Sequence, residues 1–399
     1  MFHEVPSGSI TSAGGFLAGA THAGIKSEDE LDLAILCSET PCTAAGVFTT
    51  NQIKSAPVMV SQRRMAKRRA QAIVVNSGCA NACMGGQGLE DALEMTSLTA
   101  ARLGISVEEV LVASTGIIGV SLPMDRIRAA IPDIKPTREG GHDFCRAMMT
   151  TDTIPKETAV RVSSGGVEFT VGGVIKGIGM IHPNLATMLC FVATDAAVSD
   201  GFLQAALQKA VDRSFNMVSI DGDTSPNDCA FLLANGLAGN KPIDFDSGQD
   251  FQAALNAVCV YLAKSIARDG EGGTKLIEVI VEGAEDQAEA RRGARAVAGS
   301  ALVKAAIHGN DPNWGRMAAA LGRSGARVSE NRLDVYLYDV CVMEQGCPVP
   351  FNKEQMKVAL SNSRDVLIRL CLHLGDGQAT AWGCDLSEEY VRINSSYTT

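Results

Sequence analysis

Phe251, Leu255, Val258, Leu262 and Ile266 recur at steps of three and four, and within ten residues of the last a strand-like run over 276–281, apolar except for Glu278, replaces that period. The first pattern is a helix with one apolar stripe and the second a strand, and the two bury their apolar faces by packing a helix on a sheet. Asp250 can cap the helix start and Gly270 stands where a helix stop belongs, so the periodicity predicts a helix over 250–268. The same alternation runs along the chain. Strands are expected over 31–37, 58–60, 72–75, 110–113, 159–162, 167–171, 188–192, 276–281, 333–338 and 366–372. Helices are expected over 89–102, closed by Gly104, and over 284–292 and 314–321, ahead of a polar tail at 393–399. With no internal repeat and no low-complexity linker, the 399 residues read as a mixed α/β protein with interleaved domains.

Composition narrows the function. Hydrophobic residues make up 46% and charged residues 20%, which excludes disorder and coiled coil as whole-chain descriptions. Thirty-five Lys and Arg against 45 Asp and Glu leave a net charge of −10, which repels a phosphate backbone, so nucleic acid is not an expected partner. Glu4 sits where a secretory signal carries positive charge, and the first basic residue is Lys26. The uncharged run over 177–194 is broken by His182-Pro183-Asn184, a poor membrane span. Twelve scattered cysteines in a chain of this size read as mostly buried free thiols in a reducing cytoplasm.

Several local signals have a bland reading beside a sharp one. The cluster Arg63-Arg64, Lys67-Arg68-Arg69 is a solvated helix face or an anion patch. Asp221-Gly222-Asp223 with Asp228 imitates a calcium loop but lacks its Gly and its bidentate Glu, which favours a turn. Cys79 and Cys83 have no second ligand pair for zinc. His308 to Arg316 packs polar, turn-forming and aromatic residues together, either as a structural turn or with His308 as base for a Ser114 that lacks a nucleophile elbow. Gly270 to Lys275 resembles a phosphate loop without its Gly-Lys-Ser/Thr ending.

The segment from Lys176 to Leu189 is different. A glycine-rich, proline-punctuated loop, Gly177-Ile-Gly-Met-Ile-His-Pro-Asn-Leu-Ala186, runs straight into a buried strand that begins with Thr187. A threonine held after a bent loop can attack the preceding carbonyl, and hydrolysis of the resulting ester leaves it with a free α-amine. Such an amine has a pKa of about 7.7–8.0 and can act as general base for its own hydroxyl.

This segment closely resembles the self-cleavage motif of the ornithine acetyltransferase family, also called glutamate N-acetyltransferases. Further blocks match in the family order: Asn76-Ser77-Gly78, Ser114-Thr115-Gly116-Ile117-Ile118-Gly119, Thr150-Thr151-Asp152-Thr153, Asp221 to Ser225, Asp269 to Gly272, His308 to Arg316, Gly383 to Leu386 and Asn394 to Thr399. Cys79, Leu185 and Pro226 depart from the usual Asn, Met and Thr, and none of them removes a reacting group.

The resemblance implies a mixed α/β sandwich layered like the N-terminal-nucleophile hydrolases but of different topology, with a smaller C-terminal α/β part. It implies a chain cut between Ala186 and Thr187 into an alpha chain, 1–186, and a beta chain, 187–399, which stay associated as a heterotetramer of two alpha and two beta chains. The implied reaction carries an acetyl group from N2-acetylornithine to glutamate through an acetyl ester on Thr187, with no cofactor; some members also take acetyl-CoA as a donor. Carried over by position, Thr187 is the nucleophile, and the Thr115 hydroxyl and Gly116 N–H form the oxyanion hole. Lys176 lowers the amine pKa or binds substrate, Glu271 meets the substrate ammonium, and Thr153, Asn394 and Thr399 complete the substrate contacts. The rival readings are an N-terminal-nucleophile amidase or aminopeptidase, which would pass its acyl group to water, and a metabolite-binding protein whose glycine loop only turns the chain.

Overall fold

Two runs that are buried at every position set the centre of the molecule. Leu189–Thr194 and Cys229–Ala234 pair in parallel, and continuous burial of this kind requires cover on both faces of the sheet. The computed structural model describes residues 2–26, 30–182 and 188–396. Around this pair, among the described residues, runs a nine-stranded sheet in the order Phe2–Glu4, Lys156–Ser164, Val167–Lys176, Leu189–Thr194, Cys229–Ala234, Leu33–Phe48, Arg69–Asn76 and Val110–Ser114. The ninth strand, Phe16–Thr21, pairs with the first part of Leu33–Phe48. A seven-stranded sheet from the second half of the chain has Leu276–Ala284 at its heart, flanked in parallel by Asp365–Cys371 and antiparallel by Gly377–Cys384.

Alternation along the central strands serves two cores. Phe191 and Phe231 face one way, packing with Phe16, Leu36 and Ile73 and with Phe144 and Met148 of the helix Gly141–Met148. Val192 and Leu232 face the other way, towards the helices Asp200–Arg213 and Gln249–Arg268. The stripe Phe251, Leu255, Val258, Leu262 and Ile266 is fully buried there, in one cluster with Val171 of the first sheet and Ile277 and Val279 of the second. A single long helix thus joins the two sheets, giving the layered mixed α/β architecture with a C-terminal α/β part.

Three readings change. Residues 58–60 belong to the helix Ala56–Met65, not to a strand: Pro57 in its first turn starts the helix, and three β-branched or apolar residues are too short a window to fix a period. The helix expected over 284–292 is Gln287–Ala298, because Asp286 caps it by accepting the Glu289 N–H while Ala284 ends a strand. Gly248, not Asp250, occupies the N-cap of the long helix, and Asp250 lies in its first turn. The polar tail is helical over Glu388–Ser396. Of the basic cluster, Arg64 turns inward and donates to the Val110 carbonyl at 2.5 Å, while its neighbours stay in solvent.

A buried ion cluster ties the strand Lys156–Ser164 to the end of the long helix. Lys156 Nζ lies 2.7 Å from Asp152 Oδ1 and 2.6 Å from Asp269 Oδ2, with all three side chains essentially out of solvent. Asp152 Oδ1 also accepts the Gly177 N–H at 2.8 Å. Burial pushes the Asp152 carboxyl up, but Lys176, Lys156 and the Gly177 N–H outweigh it and hold it below its ordinary value of 3.8. Stability from such a group is complete above its unfolded pKa and is lost as pH falls through the lower folded one. Asp152→Asn is therefore expected to cost about 3–5 kcal/mol at pH 7, with the gap to wild type closing only below about pH 4. Urea melts at both ends of that range check it; equal stability at neutral pH would refute the assignment.

Candidate active site

The strand Val110–Ser114 ends in Thr115-Gly116, and the turn that follows depends on a missing side chain. Gly116 has φ +131°, and a Cβ on it would stand 2.3 Å from the Gly78 carbonyl carbon. The flanking amides are engaged, Thr115 N–H with Asn76 O at 3.1 Å and Ile117 N–H with Gly78 O at 3.3 Å. The Gly116 N–H between them has no acceptor among the described residues. It lines a cavity together with Thr115, Thr150, Lys176, Gly179, Glu271 and Asn394.

Lys176, the last residue of Val167–Lys176, is buried and donates to Thr115 Oγ1 at 3.1 Å and to Thr150 Oγ1 at 2.8 Å. An ammonium only donates, so the Thr115 oxygen spends a lone pair on Lys176 and its own proton stays available for a further acceptor. Burial lowers the Lys176 pKa, and the Asp152 carboxylate works against that shift. The Thr115 hydroxyl and the Gly116 N–H are two donors on the wall of one pocket, the arrangement that stabilises an oxyanion.

Glu271 lines the same cavity. Its N–H donates to Ile178 O at 2.8 Å, and its carboxylate lies so close to Gly179 that a Cβ there would be 2.6 Å from Oε2. Asn394 Nδ2, from the C-terminal helix, donates to the same Oε2 at 2.9 Å and so orients it. The loop under Glu271 is buttressed from below: Asp385 accepts the N–H groups of Thr274 and Lys275 at 2.6 and 2.7 Å and bonds His308 Nδ1 at 2.7 Å. The His308 region is therefore a structural turn, and Ser114 donates to Asn76 Oδ1 at 2.6 Å instead of meeting a histidine.

The Asp221 to Asp228 turn is more than a surface loop. Asp221 accepts the N–H groups of Met180 at 2.5 Å and Ile181 at 2.9 Å, and Asp228 Oδ1 accepts that of Met188 at 3.0 Å. Burial pushes the Asp228 carboxyl well above its ordinary value, with only partial relief from the Met188 N–H and Lys176. Between these residues Asn227 donates to the carbonyls of Ala80 (2.6 Å) and Ser114 (2.8 Å), tying the turn to the oxyanion loop.

Thr115, Gly116, Lys176, Glu271 and Asn394 thus come from four separate stretches of chain to one cavity. Thr153 does not line it; it is exposed, and its N–H and hydroxyl both donate to Asp269. Thr187, Ala186 and Thr399 lie outside the described residues. Sequence reasoning gave no role to Thr150, Asn227 or Asp228, whose signal was only their place in or beside matching blocks. All twelve cysteines are free, nine of them buried, and among the described residues no cluster of His, Cys, Asp and Glu could hold a metal. A larger cleft, about 760 Å³, lies elsewhere, between Lys264, Glu278, Asp212 and Arg291. Four of its charged groups pair with one another, Lys264 with Glu278 at 2.7 Å and Arg291 with Asp212 at 3.4 Å.

The profile of the ArgJ family matches residues 17–399. The chain belongs to the ArgJ family. It is 52% identical over 399 residues to the arginine biosynthesis bifunctional protein ArgJ of Dehalococcoides mccartyi, covering 99% of this chain and 98% of that one. A second ArgJ protein of that description, from Symbiobacterium thermophilum, is also 52% identical, over 98% of this chain and 99% of its own. The crystal structure of the ArgJ protein of Bacillus halodurans superposes with a TM-score of 0.51 at 44% identity, covering 52% of this chain and 98% of its own. As an ArgJ protein the chain is an acyltransferase of arginine biosynthesis. Among the described residues no helix is long and apolar enough to cross a membrane.

The two donors predict a graded response. Thr115→Val is expected to lower acetyl-transfer turnover by about 10²–10³, the usual cost of one oxyanion donor, while Thr115→Ser, which keeps a hydroxyl, stays within about tenfold of wild type. Steady-state turnover of the pair checks it. A Thr115→Ser as slow as Thr115→Val would mean that keeping the hydroxyl does not suffice, and a Thr115→Val at the wild-type rate would remove Thr115 from the oxyanion site.

Proposed function

We propose that this enzyme transfers an acetyl group from N2-acetylornithine to glutamate by a two-step exchange, after cutting itself between Ala186 and Thr187. The observation that carries the reading is the pair of unspent donors, Thr115 Oγ–H and Gly116 N–H, on a cavity that Glu271 also lines. Donors in that position suit a tetrahedral acyl intermediate, and a carboxylate in the same cavity suits the ammonium of an ornithine side chain.

In the cut, the Thr187 hydroxyl adds to the Ala186 carbonyl carbon, the peptide C–N bond breaks, and water hydrolyses the ester. The freed α-amine then takes the proton of its own hydroxyl as Thr187 Oγ attacks the acetyl carbon of N2-acetylornithine. The C–N bond breaks, ornithine leaves with that proton, and an acetyl ester remains. The amine of glutamate attacks the ester, and Thr187 Oγ is protonated again. Lys176 keeps the Thr115 hydroxyl aimed at the reacting carbonyl and places positive charge beside the amine. No cofactor takes part. The bifunctional name shared by the relatives supports acetyl-CoA as a second donor, received by the same threonine.

Two further observations support the cut. The Bacillus halodurans chain is matched over 98% of its length yet spans only 52% of this one, about 207 residues, which fits the 213 residues of 187–399 and exceeds the 186 of the other piece. The main sheet also alternates between the pieces: Val167–Lys176 pairs with Leu189–Thr194, and Cys229–Ala234 pairs with Leu33–Phe48. Pieces so interleaved stay together as alpha and beta chains without a covalent link. Two such pairs form the assembly we propose, in the cytoplasm.

A denaturing gel of purified protein should show two fragments, the second starting at Thr187, and Thr187→Ala should leave one intact chain. Uncut wild-type protein transferring acetyl groups at full rate would overturn the amine-as-base mechanism. With N2-acetylornithine alone, the second fragment should gain one acetyl group, and glutamate should discharge it faster than water does. If glutamate gave no acceleration, the enzyme would be an amidase.

Glu271→Gln separates substrate binding from the reacting centre. Losing an ionic partner costs about 10- to 100-fold, and the loss should fall on acetylation by N2-acetylornithine, leaving hydrolysis of a preformed acetyl-enzyme within about threefold of wild type. Single-turnover measurements of the two half-reactions check it. Equal slowing of both would place Glu271 at the reacting centre.

A further inference from the structure

The turn over 221–228 holds the chain on both sides of the proposed cut. Upstream, Asp221 takes two consecutive amides, those of Met180 and Ile181. Downstream, Asp228 Oδ1 takes the amide of Met188, whose carbonyl is already spent on the Cys229 N–H. Without Asp228 that buried amide has no acceptor among the described residues, and the strand Leu189–Thr194 loses its first anchoring bond.

The turn itself is a fixed platform. Thr49 N–H donates to Asp228 O at 3.0 Å, Thr49 Oγ1 to Ser225 O at 2.8 Å, and Ser55 N–H to Pro226 O at 3.0 Å. Asn227 adds its two bonds to Ala80 and Ser114. The strand starts, the oxyanion loop and both shoulders of the cut are therefore referred to one rigid turn. A buried carboxyl group is costly to keep, and the mechanism above uses neither Asp221 nor Asp228.

We propose that Asp221 and Asp228 are positioning residues that act through backbone amides: Asp228 fixes Met188, the residue that follows the proposed nucleophile in sequence, relative to the Thr115–Gly116 donors, and Asp221 holds Met180 and Ile181, upstream of the cut. The proposal rests on the Thr187 reading. It requires an acceptor oxygen at each position and not a negative charge or a transferable proton. An asparagine at 228 retains a carbonyl oxygen that can accept the Met188 N–H; an alanine does not.

The test uses the full chain and follows precursor splitting on denaturing gels, with thermal melts to show that each variant is folded. Asp228→Asn is expected to split within about threefold of the wild-type rate, and Asp228→Ala at least about tenfold more slowly, the scale of a lost aligning hydrogen bond. Asp221→Ala, at a less buried site, should slow splitting by a similar factor, and its cut fraction should show a lower kcat with an unchanged KM for N2-acetylornithine, since Glu271 and Asn394 are untouched. A folded Asp228→Ala that splits at the wild-type rate overturns the proposal. So does an Asp228→Asn as slow as Asp228→Ala, which would assign the carboxyl a proton-transfer role. Should Asp228→Ala fail to fold, Asp221→Ala decides alone: wild-type splitting and kcat overturn the proposal. Wild-type protein that never splits at Thr187 would instead refute the underlying reading, and leaves a result distinct from all of these.

Discussion

Lys156 is the buried cation around which the site is assembled. Its ammonium sits between Asp152 and Asp269, and each carboxylate carries a second duty: Asp152 receives the Gly177 amide at the head of the glycine loop, and Asp269 receives Thr153. Asp269 in turn ends the long helix two residues before Glu271. One ion cluster therefore fixes the distance between Lys176, at the end of its strand, and Glu271, on the loop after its helix. Removing one member strands the others in a low-dielectric interior, a larger penalty than the cluster's own net contribution to stability.

The site faces a second constraint, because its parts come from both halves of the chain. Thr115, Gly116 and Lys176 belong to the first half, and Glu271, Asn394 and the aspartate turn to the second. The nine-stranded sheet resolves this by setting Cys229–Ala234, from the second half, between Leu189–Thr194 and Leu33–Phe48, so backbone ladders and the shared core of Phe16, Phe144, Phe191 and Phe231 hold the halves in register. A bond broken between residues 186 and 187 leaves those ladders and that core in place.

Much of the fold was legible because the periods were long and clean. The helix at 250–268, the buried strand after 188 and the strand at 276 all stand within a few residues of where pattern placed them. Short windows failed: 58–60 was apolar enough for a strand, but its helix is decided by Pro57 and by packing of Ala56 and Val60 under the sheet. The helix Asp200–Arg213 was legible but missed, since Phe202, Leu203, Leu207 and Val211 recur at helical spacing on its buried face, whereas Ala301–His308 is too short, at eight residues, to show a clear period.

By itself the sequence determined the class of architecture, the family, and the cluster of residue types that an acyl-transfer site needs. Motif blocks carry that information, since a reacting hydroxyl or an oxyanion glycine must keep its identity wherever it sits. Only the tertiary structure decided what each group is free to do. The Thr115 proton is available because Lys176 occupies the oxygen's lone pair, and the Gly116 amide is unspent because its neighbours' amides take the nearby carbonyls. The Asp221–Asp228 turn, which in sequence resembled a broken calcium loop, became an amide clamp because folding brings residues 180, 181 and 188 against it. Hydrogen-bond saturation depends on which distant partners burial brings within about 3 Å, and local sequence carries no record of them.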